Sequence, residues 1–517
     1  MQLHSNLPPT SKSGLQCIVI QNSISAKYFP VITSGFAVVL GIWVKLSLTN
    51  GALLPGLDGA YYWVQVQSIL NNFSLAFSDL PLILWIQAIL AWIIGDVQLA
   101  VRISDAVFPA LSAIPIYLIA RQFKDPLLPS IAILVVLLNP IQLYFFTGDF
   151  IKNESAIPAV FFICWVLMNW ENKSKLFSII SLSSATLFIA FSHFGTLLLT
   201  LILLSIWGLF QLRGRSIKFW IQSTGFSAIG IIGLLFFLRL LVPTRFTRLV
   251  DLVTSPNDLF IRPAFDAIRY GYANPVMART IIIGQFAALI FALILWISRT
   301  NFTHSNFSLT ATCLIATFTL SSPIFGLAWS DRLVGLSFVP LSIAAILIFG
   351  SVQNPWKQAL VAGFAAVTLF SAVQLNSVQT KYVFSEQQYG DFQKMVTEVD
   401  IPKNSVIVAR HGVEYLSAWH FNTDVVLDSY YPSADLSQYS SVFYIQEWNA
   451  GSSGKGKPDQ DKPPLSGTTN KPEEPGLGGK SPKPLGKGDA PINSSKGQNP
   501  EGVTIYANTS FALIKIR

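Results

Sequence analysis

Long apolar runs recur along the chain near residues 30–48, 80–95, 103–120, 127–146, 156–170, 176–192, 195–212, 217–242, 280–298, 307–326, 332–350 and 357–376. Most match the ~17–25 residues with which a helix spans a hydrocarbon core ~30 Å thick. After Gln379 the pattern changes to that of a water-facing α/β segment. There "SEQQYGDFQKMVTEV" reads as a helix, "NSVIVAR" as a strand and "GVEYLSAWHF" as a second helix. "DVVLD" and "SVFYIQEW" read as further strands, and "GVTIYA" with "SFALIKI" as a closing hairpin. Residues 450–500, rich in Gly, Pro, Lys and Ser with no apolar period, read as a disordered insertion. The expected organisation is an N-terminal segment 1–29, a transmembrane domain 30–379 and a small α/β domain 380–517.

Composition agrees with a membrane solvent: 51% of residues are hydrophobic and 12% are charged, against about 25% charged in soluble domains. The formal net charge of +8 therefore speaks to orientation rather than to nucleic acid. With Lys12 and Lys27 in the cytoplasm, counting every run as a crossing puts Arg121/Lys124, Lys173/Lys175 and Arg213/Arg215/Lys218 outside. That inverts the positive-inside rule three times. If one run between 80 and 120 does not change sides, all three clusters, with Arg299 and Lys357, fall inside. The same change moves the loops 147–155 and 243–279, residues 328–332 and the C-terminal segment outside, beside the 49–80 loop that holds Asp58. The expected protein is an all-α polytopic membrane protein with about eleven transmembrane helices, N-terminus in, and a small extracytoplasmic α/β domain. Residues 1–29 are polar and carry no signal for cleavage, and Cys17, Cys164 and Cys313 predict neither a disulfide framework nor a zinc site.

On the expected outer face, acids collect at the ends of different spans: Asp58, Asp79, Asp149, Glu154 and Asp331. Each alone is an ordinary loop carboxylate. Together they can ligate a divalent cation or act as base and electrostatic clamp. Asp58 opens an amphipathic stretch in which Tyr61, Trp63, Val64 and Ile69 suit a helix lying flat on the membrane interface. The 243–279 loop holds Arg245, Arg248, Arg262, Arg269 and Arg279, with tyrosines such as Tyr270, and no lysine. Arginine's planar fork suits a lipid phosphate, although anionic headgroups would attract the same loop. Arg332 is a further phosphate contact or the partner of Asp331. His193 is a metal ligand, a proton acceptor or a buried hydrogen-bonded histidine, and Arg102 an interfacial anchor.

Three stretches resemble the GT-C superfamily, the integral-membrane glycosyltransferases that use lipid-linked sugars. These are "LDGAYYWVQVQSIL", the run "DLPLILWIQAILAWIIGDVQLAVRISDAVFPALSAIPIYLIARQF", and "TGDFIKNES". The likeness covers roughly residues 30–200. It extends to oligosaccharyltransferase catalytic subunits, protein O-mannosyltransferases and lipid A aminoarabinose transferases. The Trp-Trp-Asp signature of the first and the Asp-Glu pair of the second are absent, Gly59 following Asp58. The resemblance implies inverting transfer from a polyprenyl-phosphate sugar to a glycan, lipid or protein acceptor at the outer face of the inner or plasma membrane. It implies Asp58 as principal catalytic carboxylate, with Asp149 and Glu154 at the second acidic position. Tyr61, Tyr62, Asp79, the loop arginines, Tyr270 and Arg332 would bind substrate. A Mg²⁺ or Mn²⁺ could sit on Asp58 and Asp149, with His193 a further candidate ligand.

An envelope polysaccharide polymerase or ligase would also have ten to twelve spans and an arginine-bearing outer loop, and would not need Asp58. A transporter would favour internal repeats and charges at the midplane, and a catalytically dead relative would serve as a structural partner. No repeat is found, and the acids lie at span ends.

Overall fold

The computed structural model describes residues 13–48, 51–123, 125–147, 150–212, scattered positions between 232 and 270, 275–351, 382–448 and 502–517. The chain divides into two compact units, one of residues 1–50 and 80–380, the other of residues 51–79 and 381–517. The segment around Asp58, expected as a loop of the transmembrane domain, thus belongs to the α/β unit.

The first unit is helical. Among the described residues, seven helices are long and apolar enough to cross a membrane: Tyr28–Ser47, Val97–Ala120, Ile151–Met168, Lys175–Ser192, Phe194–Gln211, Ala278–Ile297 and Arg332–Ser351. An eighth is a pair, Leu128–Leu137 and Pro140–Phe146, bent by 42°. The bend falls where Pro140 lacks a backbone N–H and Asn139 caps Ile141 N at 2.9 Å. The 357–376 run and most of 217–242 lie outside the described residues, and the 307–326 run forms the 17-residue helix His304–Leu320. The chain is a polytopic membrane protein.

The run at 80–95 forms a helix of only 13 residues, Leu82–Ile94, or about 20 Å at ~1.5 Å per residue. Gly95, at φ 81°, ends it, and Asp96 starts the next helix by accepting Leu99 N–H at 2.9 Å. Gln87 then donates to Ser104 at 2.9 Å in the buried contact between the two. This helix is shorter than the Val97–Ala120 span that follows it.

The basic loops gather at one end of this bundle. Gln122 reaches Asn169 at 3.4 Å, Trp170 meets Trp207 edge-on at 5.3 Å, and Phe123 packs onto Gly350. Lys173 and Lys175 lie over the rings of Trp165 and Trp170, the arrangement of an interfacial anchor. The loops bearing Arg121, Lys173 and Lys175 therefore share an end. On the lipid side the first span exposes Ile32, Phe36, Val39 and Trp43, a stripe at helical spacing. On its inner side Gly41 lies against Leu137, where a methyl group would meet the leucine at 2.8 Å, and Ser34 reaches Ser130 at 3.4 Å. Small residues permit such close helix contact.

The second unit is a five-stranded mixed sheet of order β2-β1-β3-β5-β4. The strands are β1 (Ser405–Ala409), β2 (Asp424–Leu427), β3 (Ser441–Glu447), β4 (Val503–Ala507) and β5 (Phe511–Lys515). β1 runs parallel to β2 and β3, while β5 runs antiparallel to β3 and β4. Every residue of β1 is buried, which accounts for its unbroken apolar run. Helices Glu386–Glu398 and Val413–Phe421 fall where the sequence predicts them. The first opens with a capping box between Ser385 and Gln388. Asp391 staples it to the hairpin, accepting hydroxyl bonds from Thr509 and Ser510 at 2.6 Å each. The 450–500 insertion lies outside the described residues.

Candidate functional site

Asp58 stands at the N-cap of the helix Gly59–Asn72. Its backbone, at φ −98° and ψ 3°, already turns helical, so the Asp58 carbonyl accepts Tyr61 N–H at 3.0 Å and the side chain makes no cap bond. Its Oδ1 instead lies 3.5 Å from His411 Nε2, and His411 Nδ1 lies 2.8 Å from Glu414 Oε1. Asp58 and Glu414 are buried, while the His411 side chain remains 38% exposed. Burial pushes the Glu414 carboxyl up from its ordinary value, and His411 opposes the shift. The result is a carboxylate–imidazole–carboxylate line with one end on each of two helix starts.

One glycine, Gly412, lets those starts meet, and Gly59 tightens the Asp58 turn. A methyl group on Gly59 would lie 2.7 Å from Leu54 Cβ. Gly412, at φ 92°, would place one 3.2 Å from the Leu57 carbonyl oxygen. Asp58-Gly59 and His411-Gly412 are thus matching loop-to-helix turns packed against each other.

The aromatic face of Gly59–Asn72 differs from the expected membrane-lying surface. Tyr61, Tyr62, Trp63, Val66 and Ile69 are buried in protein, Trp63 meeting Trp419 at 5.7 Å and Tyr61 meeting Tyr415 at 5.2 Å. The apolar stripe is matched by the facing helix Val413–Phe421, whose aromatic residues it covers. Tyr61 and Asp79 also depart from an open substrate-binding role. The Tyr61 hydroxyl donates to Asp79 Oδ2 and accepts from Gln65 at 2.8 Å. Gln65 brackets Phe77 with one bond to its N–H and one to its carbonyl. Burial first, then the Asp79 carboxylate, holds the Tyr61 hydroxyl well above the ordinary tyrosine range. This pair closes the 59–79 hairpin on itself.

In the first unit, Glu154 lies within its helix, fully buried, rather than at an open face. Lys45 donates to both its oxygens, at 3.0 and 3.1 Å. Asp105 is buried within electrostatic reach of both. His193 is the hydrogen-bonded histidine of the three alternatives: its Nδ1 accepts Thr196 N–H at 3.1 Å and so caps the helix Phe194–Leu212. Arg102 sits inside the helix Val97–Ala110.

The arginine-bearing elements partly converge. Arg269 is exposed on the short helix Ala264–Tyr270, and Arg332 belongs to the helix Leu327–Leu336. Ala264 N donates to Phe325 O at 2.9 Å, Phe265 N donates to Pro323 O at 2.8 Å, and Ala264, Ile281 and Val334 pack together. Two of the expected phosphate contacts are therefore carried by joined elements. Asp149, Arg245, Arg248 and Arg262, and the side chains of Tyr270 and Asp331, lie outside the described residues. Among the described residues, no group of three His, Cys, Asp or Glu side chains converges as metal ligands.

Sequence reasoning passed over His411 and Glu414. "ARHGVEY" carries a signal, a His-Gly step between strand and helix with an acid three residues on, but nothing local ties it to Asp58 some 350 residues earlier.

No protein-family model matches the sequence, and no curated protein matches it. Solved structures do. ArnT from Cupriavidus metallidurans bound to undecaprenyl phosphate aligns with a TM-score of 0.55 at 10% identity, over 81% of this chain and 93% of that one. The same protein in its apo state aligns at 0.50 and 11%, over 79% and 92%. The oligosaccharyltransferase of Archaeoglobus fulgidus in its apo form aligns at 0.50 and 12%, over 81% and 70%. At such identities the likeness is one of architecture, and it is the architecture expected from the three resembling stretches: the chain has the fold of the GT-C integral-membrane glycosyltransferases.

Proposed function

We propose that this protein transfers a sugar from a polyprenyl-phosphate donor to an acceptor, with inversion, on the extracytoplasmic face of the inner or plasma membrane. The observation that carries the reading is the placement of Asp58. A buried carboxylate at a helix start, turned to an imidazole instead of its own helix, is poised to take a proton from an acceptor hydroxyl. The ArnT structure bound to undecaprenyl phosphate supports the donor class.

In this mechanism Asp58 removes the acceptor's proton as its oxygen attacks the anomeric carbon and the sugar–phosphate bond breaks. Arg269 and Arg332, on joined elements, balance charge developing on the departing lipid phosphate. Glu154, held by Lys45 at both oxygens, is assigned to helix pairing rather than to chemistry. Asp149 keeps the second acidic position. A hard divalent cation asks for six or more oxygen ligands. Water and donor phosphate can supply most of these, so Asp58 and Asp149 would hold a Mg²⁺ or Mn²⁺ that neutralises charge on the phosphate.

The test is Asp58→Asn, assayed in purified protein with a panel of radiolabelled undecaprenyl-phosphate hexoses. We expect transfer to fall by at least ~100-fold, in the range of a lost general base. Full retained transfer would overturn the assignment.

A further inference from the structure

We propose that His411 is a positioning residue for Asp58: Glu414 orients its ring, and the ring holds the Asp58 carboxylate away from its own helix in the orientation that meets the acceptor. The proposal rests on the reading of Asp58 given above.

Three observations carry it. Asp58 is buried at its helix start, and its Oδ1 lies 3.5 Å from His411 Nε2. The ring that faces it is fixed at both ends, by Glu414 at 2.8 Å on Nδ1 and by the edge of Tyr415 at 5.8 Å between ring centres. The backbone beneath is specialised for the approach, since Gly412 stands where a methyl group would press on the Leu57 carbonyl of the Asp58 turn. Glu414 is itself 4% exposed and its Oε2 has no hydrogen-bond partner. A buried carboxylate so placed loses hydration that a single bond does not restore, and this cost is incurred at the foot of the ring that addresses Asp58.

The geometry separates this role from a simple structural one. With Nδ1–H donated to Glu414, Nε2 must carry the second proton to hold a carboxylate, so the ring addresses Asp58 as an imidazolium. The 3.5 Å contact is longer than a hydrogen bond, and such contacts commonly tighten only when substrate is bound. Truncating the ring should therefore cost catalysis more than binding. A side chain that still presents a polar nitrogen at the Nε2 position should restore most of the loss.

The experiment compares wild type with His411→Phe, His411→Gln and Asp58→Asn, using the panel of undecaprenyl-phosphate hexoses and following thermal unfolding of each. We expect His411→Phe to lose at least ~10-fold in kcat with donor KM within about 2-fold. His411→Gln should recover to within about 3-fold of wild type. An experimental structure of His411→Phe gives a readout without activity: the Asp58 carboxylate should leave the orientation it holds toward position 411. Two results overturn the inference. One is His411→Phe transferring at the wild-type rate while Asp58→Asn is dead. The other is an unchanged Asp58 side chain in the His411→Phe structure. An active Asp58→Asn would instead overturn the reading beneath it. If His411→Phe does not fold, His411→Leu takes its place; if neither folds, the His411→Gln structure decides, and wild-type transfer with the Asp58 carboxylate displaced would overturn positioning.

Discussion

Lys45 and Glu154 meet at 3.0 and 3.1 Å between two membrane-spanning helices, with side chains 2% and 0% exposed. Phe146 closes over the ammonium at 5.1 Å. A buried pair contributes little net stability when compared with apolar residues of the same shape, but losing one member leaves an uncompensated charge.

Lys45→Ala or Glu154→Ala should therefore destabilise the protein by about 3–5 kcal/mol, whereas the double change Lys45→Met/Glu154→Leu should stay within about 1–2 kcal/mol of wild type. Thermal unfolding in detergent measures both. Asp105→Asn tests the neighbourhood: it removes one of two carboxylates gathered around a single ammonium, and should cost far less than Lys45→Ala. Equal losses in all these variants would show that the pair is not the unit of stability.

The glycines at the site give a second expectation. Gly412→Ala adds a methyl group at φ 92°, where L side chains are strained, and 3.2 Å from the Leu57 oxygen. A cost of about 1–3 kcal/mol follows. Gly59→Ala meets Leu54 at 2.7 Å and should cost a similar amount by crowding. Gly95, also at positive φ but with open space around it, should lose only the strain term on substitution. Melting temperatures of the three variants rank these effects.

Asp391 sets a pH expectation. Hydroxyl bonds from Ser510 and Thr509 hold its carboxyl below the ordinary value. A depressed carboxyl pKa binds protons more weakly in the folded state, so its stabilisation is present above the ordinary aspartate range near ~4 and is lost as pH falls through and below it. Asp391→Asn should lower the melting temperature at pH 7 and flatten its decline between about pH 5 and pH 2. An unchanged acid limb would mean that other carboxylates govern it.

Sidedness is tested by cysteine substitution in a background lacking Cys17. Arg269→Cys, exposed on Ala264–Tyr270, should react with a membrane-impermeant maleimide in intact cells, and Arg215→Cys only after permeabilisation. The buried thiols Cys164 and Cys313 should stay silent until the protein unfolds. Labelling of residue 215 from outside would invert the proposed topology.

Much of the architecture could be read in advance because it is written in local periodicity. The strands around Val406–Val408 and Phe511–Leu513 and the capping box at Ser385 announce themselves within a few residues. Positive charge in loops grouped Arg121 with Lys173, and the Gln122–Asn169 bond places those loops together. Contacts between distant segments left no such trace. Trp63 looks like a membrane-facing tryptophan until Trp419 is seen against it, and Glu154 looks like a loop acid until Lys45 claims it. Asp58 was recognisable by motif, but His411 could be joined to it only by folding.

The α/β unit is assembled from pieces that leave the ribosome far apart in time. Residues 51–79 are made first, and roughly 300 residues must follow before Tyr382 begins the remainder. At ~5–20 residues per second that is an interval of about 15–60 s. Throughout it, Tyr61, Trp63 and Ile69 have no Trp419 or Tyr415 to cover them, and the membrane surface is the apolar shelter within reach. Asp58 acquires His411 only after the spans before it have been made. A chain halted at residue 380 would thus carry Asp58 and the aromatic helix without His411, Tyr415 or Trp419.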